Sequence, residues 1–179
     1  STSPFAINKT QYRRSLISSI AKEYRVNLLY LNMVGGNDEL VFDGHSLIAN
    51  SRGELIFESK RFQEELIIVD TKVLAPISEP NDVSDVEEVY HALLLGISDY
   101  LKKCGFSKVV IGLSGGIDSA VVASLAKEAL GPFNVLGISM PSPYSSESSV
   151  SDARDLASRL GISFQIIPMS STINKRIIL

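Results

Sequence analysis

The sequence lacks the features that mark several classes of protein. It has a single cysteine, Cys104, so no internal disulfide can form and a reducing compartment is expected; a lone thiol of this kind is usually packed within the fold. No apolar run approaches the roughly 18 residues of a membrane helix, and no basic segment followed by an apolar one marks a secretory signal. The net charge of −3 argues against nucleic acid as the main partner. We therefore expect a cytoplasmic protein without nucleic-acid or membrane partners.

The histidines and a group of acids do not form a metal-binding pattern. His91 falls on a predicted amphipathic helix, where a structural role is expected, and we assign no role to His45. Asp38 and Glu39 lie at a turn-rich segment and Asp43 precedes Gly44, so turn or capping roles explain these acids better than a metal site. The functional residues of the chain are therefore expected elsewhere.

Periodicity divides the chain into three parts, of which the first ends near residue 70. Residues 71–84 contain two prolines and no apolar periodicity, which indicates a linker. Within the first part, residues 9–24 predict an amphipathic helix whose apolar stripe would contain Tyr12, Leu16, Ile20 and Tyr24. The remaining predicted elements are a strand at 27–33, a turn at 35–38, two strands at about 40–49 and 54–59 joined by a hairpin turn, and a strand at 65–69.

The third part, 85–179, alternates helices with apolar strands. Ser84 and Glu87 fit a capping box at the start of its first helix. The later predicted elements are strands at 108–113, 133–139 and 163–169, and helices at 118–130 and 147–160. Such alternation predicts an α/β fold with a parallel sheet. Because the chain starts at Ser1 and stops just after a predicted strand, we expect it to be an internal segment of a longer protein.

The loop after the strand at 108–113 carries the most specific signal. The apolar strand leads into the sequence Ser-Gly-Gly-Ile-Asp-Ser at 114–119 and then into a helix. Ligands of open parallel sheets bind at the carboxyl ends of the strands, and a helix N-terminus placed there attracts anions. Gly115 and Gly116 permit positive φ and a close backbone approach, and the two serines add hydroxyl donors. The loop is therefore predicted to bind phosphate.

The composition of the loop separates it from the common phosphate loops. It has no Gly-Lys-Ser/Thr ending, and its glycine spacing differs from the dinucleotide fingerprint. Asp118 would repel a phosphate unless Mg²⁺ lies between them, since Mg²⁺ prefers carboxylate, water and phosphate oxygens. The alternative is an ordinary Gly-rich turn in which Asp118 is a first-turn acid.

The Ser-Gly-Gly-x-Asp-Ser sequence resembles the signature of the ATP pyrophosphatases, which include NAD⁺, GMP, asparagine and argininosuccinate synthetases. The resemblance implies a Rossmann-like, adenine nucleotide alpha hydrolase-like domain in which the loop binds the pyrophosphate of ATP. It also implies that Asp118 binds Mg²⁺. The residues expected to bind ATP are Gly112, Leu113, Ser114, Gly115, Gly116, Ile117, Asp118, Ser119 and Met140.

Further segments are similar to glutamine-dependent NAD⁺ synthetases. Residues 140–147 resemble the segment that follows the second strand of their synthetase domain, and residues 1–5 and 34–44 resemble the end of their nitrilase-type glutaminase domain. The resemblance covers essentially the whole chain. It implies the end of a nitrilase-like α/β sandwich at 1–70, a linker at 71–84, and the first half of an ATP pyrophosphatase domain at 85–179.

The same resemblance implies that Ser3 and Lys9 bind glutamine. Asn8 departs from the family pattern, because relatives often have Gly there, and the departure puts the geometry of the loop before Lys9 in question. Otherwise Lys9 would be a solvated first-turn lysine. The glutaminase Glu, Lys and Cys are expected upstream of Ser1, so no catalytic residue is expected within the chain and the chain alone is expected to be inactive.

The implied activity is that of a carbon–nitrogen ligase. ATP would adenylate the nicotinate carboxylate of deamido-NAD⁺, and ammonia from glutamine would displace AMP, giving NAD⁺, AMP and pyrophosphate. The expected ligands are ATP, Mg²⁺, deamido-NAD⁺ and glutamine, and the full-length enzyme is expected to be a homo-oligomer. Two alternatives stay open: another ATP pyrophosphatase amidotransferase, and a non-catalytic nucleotide-binding segment.

Overall fold

The computed structural model describes residues 1–70, 83–142 and 144–169. Contacts along the chain divide it into two compact units, Ser1–Tyr100 and Leu101–Leu179. The predicted linker at 71–84 lies almost entirely outside the described residues, so the domain boundary that it marks stays a prediction. The helix that follows the linker, Asp85–Lys103, belongs for most of its length to the first unit.

The first unit is built around helix α1, Lys9–Tyr24, which has the predicted bounds. It packs on an antiparallel sheet of strands β1, β4 and β5, in the order β1-β4-β5. The core between them holds Ile17, Ala21, Leu47 and Ala49. The strands of this sheet are β1 Leu28–Tyr30, β4 Leu47–Ala49 and β5 Leu55–Glu58.

The apolar stripe predicted for α1 is wrong. Tyr12 and Tyr24 are 63% and 68% exposed, and the buried face instead includes Arg13 and Arg14. Burial of arginines is possible because each has a carboxylate partner elsewhere in the unit. The hydrophobic face of this helix is therefore narrower than its sequence suggests.

The remaining strands of the first unit form a separate antiparallel hairpin of β2, Val34–Asn37, and β3, Leu40–Asp43. The turn predicted at 35–38 is wrong, because most of that segment is strand β2 and the turn lies at residues 38–39. The single strand predicted at about 40–49 is also wrong: Gly44 and His45, with φ of 66° and 51°, break it between β3 and β4. Residues 65–69 form no strand.

Helix α2, Asp85–Lys103, begins where the capping box predicts. The backbone N–H of Glu87 donates to Ser84 Oγ at 3.2 Å, which is the half of the box that anchors the first turn. Cys104 follows the helix and is exposed, so the expectation of a packed thiol is wrong. No helix in the described part of the chain combines the length and apolar content needed to cross a bilayer.

The second unit confirms the predicted α/β fold with a parallel sheet. Its strands run in the order β6-β7-β8 and all pair in parallel. Helices α3 and α4 pack on the sheet and on each other, around a core of mostly small and aliphatic side chains. The elements are β6 Val109–Gly112, α3 Ile117–Leu130, a 3₁₀ turn Pro132–Asn134, β7 Val135–Ser139, α4 Glu147–Leu160 and β8 Ser163–Ile166.

Candidate functional site

The candidate phosphate loop leaves the sheet at the carboxyl end of β6. Leu113 is 2% exposed, and its backbone N–H donates to Ile138 O of the neighbouring strand at 2.8 Å, so the chain is still held to the sheet at this point. Helix α3 begins at Ile117, one residue before the predicted start. Only Ser114, Gly115 and Gly116 therefore connect the anchored strand to the helix, and the loop is short and well constrained.

Hydrogen bonds of two serines close the loop. Ser114 N donates to Ser119 Oγ at 3.2 Å, and the two hydroxyl oxygens lie 3.1 Å apart. Ser114 Oγ accepts from Gly116 N at 3.2 Å, and Ser119 Oγ donates to Gly116 O at 3.0 Å. The serines predicted to bind phosphate thus also hold the shape of the loop, and their hydroxyls face one another at its mouth.

The two glycines of the loop have different roles. Gly115 has φ of +81°, and a Cβ added there would lie 2.6 Å from the carbonyl oxygen of Ser149 in α4. Gly116 is extended, with φ of −91°, so it does not use the positive φ that a glycine permits. Glycine is required at position 115 on two independent grounds, because side chains rarely adopt its φ and no Cβ fits against the helix backbone.

The N-terminus of α3 supplies the electrostatic environment of the loop. Gly116 is the N-cap and offers no side chain, so no side-chain oxygen satisfies the first N–H groups of the helix. Asp118, in the first turn, is exposed, as is Ile117. Free N–H groups and the helix dipole favour an anion, and an exposed carboxylate beside that anion can share a divalent cation with it.

A metal ion bound beside Asp118 would need additional oxygen ligands from water or from a bound phosphate. In the ranges that the structure describes, no group of three or more His, Cys, Asp or Glu side chains could hold a metal ion. Asp118 fits Mg²⁺ as a single carboxylate ligand, since this ion usually keeps several waters and takes phosphate oxygens from its substrate.

The structure brings Met140 to the same edge of the sheet. It follows β7, whose Ile138 pairs with Gly112 of β6. A Cβ on Gly112 would lie 3.6 Å from the Met140 methyl carbon, and Met140 remains 55% exposed. The predicted set from 112 to 119 is therefore contiguous with Met140, which provides an apolar surface beside the loop.

The second predicted site lies in the first unit, where Ser3 is fixed by its main chain. Ser3 N donates to Asn32 Oδ1 at 2.9 Å, and Ser3 O accepts from Asn32 Nδ2 at 3.0 Å and from Arg13 Nη2 at 2.9 Å. Its hydroxyl oxygen also accepts from Arg13, at 3.3 Å. Neither Asn32 nor Arg13 was identified from sequence, because only the fold brings α1 and the segment after β1 to Ser3.

Lys9 is not a solvated lysine. It is half-buried, and its Nζ donates to Pro4 O at 2.8 Å, which closes residues 4–9 into a loop. Asn8 has φ of +68° and ψ of 0°. Asn is one of the few residues that tolerate this left-handed conformation, so it can replace a glycine there without changing the turn.

Two buried ion pairs support this part of the first unit. Arg13 Nη1 lies 2.6 Å from Asp43 Oδ2, and Arg14 Nε lies 2.6 Å from Glu58 Oε1; all four side chains are at least 94% buried. His45 Nε2 lies 3.4 Å from Glu58 Oε2. Burial alone would raise the pKa of Glu58, but hydrogen bonds from His45 and Arg14 outweigh it and hold the pKa at about 2.

Comparison with known proteins gives one consistent result. Residues 89–176 match the family model described as NAD synthase. The glutamine-dependent NAD(+) synthetase of Synechocystis sp. is 50% identical over 174 residues, which are 94% of this chain and 31% of that protein. The protein of the same name from Thermotoga maritima is 40% identical over 207 residues, covering 95% of this chain and 36% of that protein.

A solved structure agrees with the sequence matches. The glutamine-dependent NAD+ synthetase from Acinetobacter baumannii, in complex with ADP, matches with a TM-score of 0.87 and 36% identity over 97% of this chain and 34% of that chain. The chain thus spans about a third of the length of the relatives it matches.

Proposed function

Because nearly the whole chain is similar to glutamine-dependent NAD(+) synthetases, we propose that the complete protein makes NAD⁺ from deamido-NAD⁺, with glutamine as the nitrogen donor. The observation that carries the proposal is the loop at 114–119, where an uncapped helix start, a glycine fixed by close packing and an exposed carboxylate meet at the end of a parallel strand.

In this proposal the loop binds the pyrophosphate portion of ATP. The free N–H groups at the start of α3 donate to phosphate oxygens. The hydroxyls of Ser114 and Ser119 also donate to them, by rotating away from the hydrogen bonds that they make within the loop. Mg²⁺, held by Asp118, would neutralise the charge that develops as pyrophosphate leaves. Gly112, Leu113, Gly115, Gly116 and Ile117 shape the backbone around it, and Met140 contacts the adenosine portion.

The first unit has the glutamine-binding role in this proposal. Residues 1–70 are the end of a nitrilase-like glutaminase domain, residues 71–84 a linker, and residues 85–179 the start of the ATP pyrophosphatase domain. Ser3 and Lys9 bind glutamine in the rigid loop that Arg13 and Asn32 anchor. The released ammonia then displaces AMP from the adenylated carboxylate. We also propose that the complete protein is a homo-oligomer and is located in the cytoplasm.

Asp118→Asn tests the proposal. An amide keeps the shape of the side chain but loses the charge that a hard divalent cation requires, so ammonia-supplied NAD⁺ formation should fall by about two to three decades. The rate should be measured in the complete protein at several Mg²⁺ concentrations, with deamido-NAD⁺ as acceptor. Glutamine hydrolysis should remain largely intact, because its chemistry belongs to the other domain.

Asp155→Asn is the matched control, since Asp155 is an exposed acid of α4 outside the loop. It should leave both activities unchanged. A near-normal rate and Mg²⁺ dependence in Asp118→Asn would show that Asp118 is an ordinary helix-start acid. If the wild-type protein cannot use deamido-NAD⁺ at all, the activity is that of another amidotransferase with the same loop.

A further inference from the structure

One acidic side chain in the first turn of helix α2 is buried. Asp85 and Glu87 in its first turn are exposed, whereas Glu88 is only 4% exposed. The Glu88 carboxylate forms an ion pair with Arg61, and its Oε1 accepts from the Thr10 hydroxyl at 3.2 Å. These contacts all lie within the first unit, Ser1–Tyr100. Glu88 therefore links α2 to the start of α1.

The location of Thr10 gives this link its importance. Thr10 is 9% exposed and directly follows Lys9, whose ammonium group closes the loop onto Pro4 O. The first turn of α1 is thus fixed from two sides, by Lys9 through Pro4 and by Thr10 through Glu88. A displacement of Glu88 would be transmitted to Lys9 through one peptide bond.

Aromatic side chains and a main-chain contact support α2 at two further points. The Phe62 ring stacks on His91 of α2 with a centroid distance of 6.1 Å, and it contacts Phe5 edge to face at 5.4 Å. Further along the helix, Asp99 Oδ2 accepts from Gly36 N at 2.8 Å. Phe62 therefore connects α2 to Phe5, which lies in the same 3–10 segment as Ser3 and Lys9.

A buried carboxylate is costly to desolvate, and a buried ion pair is weak evidence for stability as such. In some proteins the role of such a pair is to fix one arrangement of the groups around it. The match to the NAD synthase family begins at residue 89, inside α2, so the helix that backs Lys9 is shared with the synthetase region of the sequence.

We propose that Glu88, which lies on α2 one residue before that match begins, is a positioning residue for the amide donor and holds the 3–10 segment in its glutamine-binding shape. The inference rests on the proposed function, because Ser3 and Lys9 are its glutamine-binding residues. Glu88 itself touches no substrate and acts through Thr10.

The test is Glu88→Gln in the complete protein, measured with glutamine and, separately, with saturating ammonia as nitrogen source. Weakening the contact between a charged group and its buried partners should raise the KM for glutamine about tenfold, whereas the kcat with ammonia should stay within about twofold of wild type. Glu87→Gln makes the same change on the exposed face of the same turn and should alter neither value. No rise in the glutamine KM, or an equal loss with both nitrogen sources, overturns the inference.

Thr10→Val provides a second test in which the Glu88–Arg61 ion pair remains intact. It removes only the hydroxyl that joins the carboxylate to α1, so it should reproduce the selective rise in the glutamine KM. A Thr10→Val protein with a normal glutamine KM overturns the link. Wild-type protein that forms no NAD⁺ even with ammonia would refute the proposed function instead, so the two failures can be told apart.

Discussion

A single methyl group at Gly115 tests how closely the candidate phosphate loop depends on α4. Gly115→Ala must accommodate both a φ of +81° and a Cβ that would lie 2.6 Å from Ser149 O, and main-chain atoms cannot rotate away as a side chain can. We expect the free energy of unfolding to fall by about 2 kcal/mol or more, and the KM for ATP to rise. Urea unfolding and ATP titration of the rate measure the two effects.

Gly161→Ala separates the steric effect from the backbone effect. Gly161 has φ of +69°, but nothing lies within 4 Å of an added Cβ. Its variant should show only the backbone cost of about 1 kcal/mol and a normal KM for ATP. Equal losses at the two positions would mean that the contact with Ser149 is not important for the loop.

Glu58 is another single residue with a large effect, because it makes the free energy of unfolding depend on pH. Its pKa lies at about 2, below the ordinary value of 4.5, so its contribution to stability is present above pH 4.5 and is lost as the pH falls through 2. At neutral pH, Glu58→Gln should lower the free energy of unfolding by about 3 kcal/mol, and the difference from wild type should vanish near pH 2. Urea unfolding between these pH values measures it.

The control for this pH dependence is Glu23→Gln, which neutralises an exposed acid of α1. It should leave the slope of stability against pH like that of wild type. If Glu58→Gln shows the same slope as wild type, the ion pair with Arg14 does not control acid unfolding.

Single residues also show where sequence reasoning reaches its limit. The need for glycine at 115 was predicted from its place in the loop, but Ser149, which enforces it, lies a whole α/β unit further along the chain. Arg13 and Asn32, which anchor Ser3, were missed because only the folding of α1 and of the segment after β1 brings them to it. A local pattern identifies the residue that must be special, whereas the atoms that make it so come from the tertiary fold.

At the scale of elements, the bounds of the long helices were predicted well and their buried faces were not. The cap at Ser84 and the glycine after α4 are local signals, so α2 and α4 begin or end where expected. The buried face of α1 depends instead on Asp43 and Glu58, which belong to strands and pair with its arginines. Periodicity cannot anticipate such partners, because it counts apolar residues only.

The N-cap of α4 gives a prediction at this scale. Ser146 Oγ accepts from Ser149 N at 3.3 Å, and Ser149 is the residue against which Gly115 packs. Ser146→Ala should lower the free energy of unfolding by about 1 kcal/mol and raise the KM for ATP, because the first turn of α4 supports the loop.

Ser158→Ala is the matched control on the same helix. Ser158 is exposed near the C-terminal end of α4, where alanine is the better helix former. This variant should be as stable as wild type or slightly more stable, with an unchanged KM for ATP. Stability losses of the same size in both variants, measured by thermal unfolding, would contradict the capping role.

At the scale of the whole molecule, the parallel sheet was the most predictable feature. Apolar strands that alternate with helices leave few other arrangements, and the observed order β6-β7-β8 follows the chain. The first unit was harder, since its strands are short and its hairpin of β2 and β3 stands apart from the three-stranded sheet. Two left-handed residues, Gly44 and His45, were enough to turn one predicted strand into two.

The membership of α2 in the first unit has a practical consequence for dividing the gene. A cut before Asp85 follows the change in composition, but it would separate Glu88 from Arg61 and Asp99 from Gly36 N. In the upstream product, the surface around Arg61 and the glycine-rich hairpin of β2 and β3 would then be exposed to solvent. A cut after Tyr100 would keep those contacts together. For recombinant expression of either half, the terminus of choice is therefore set by the side chains of a helix and not by the prolines that precede it.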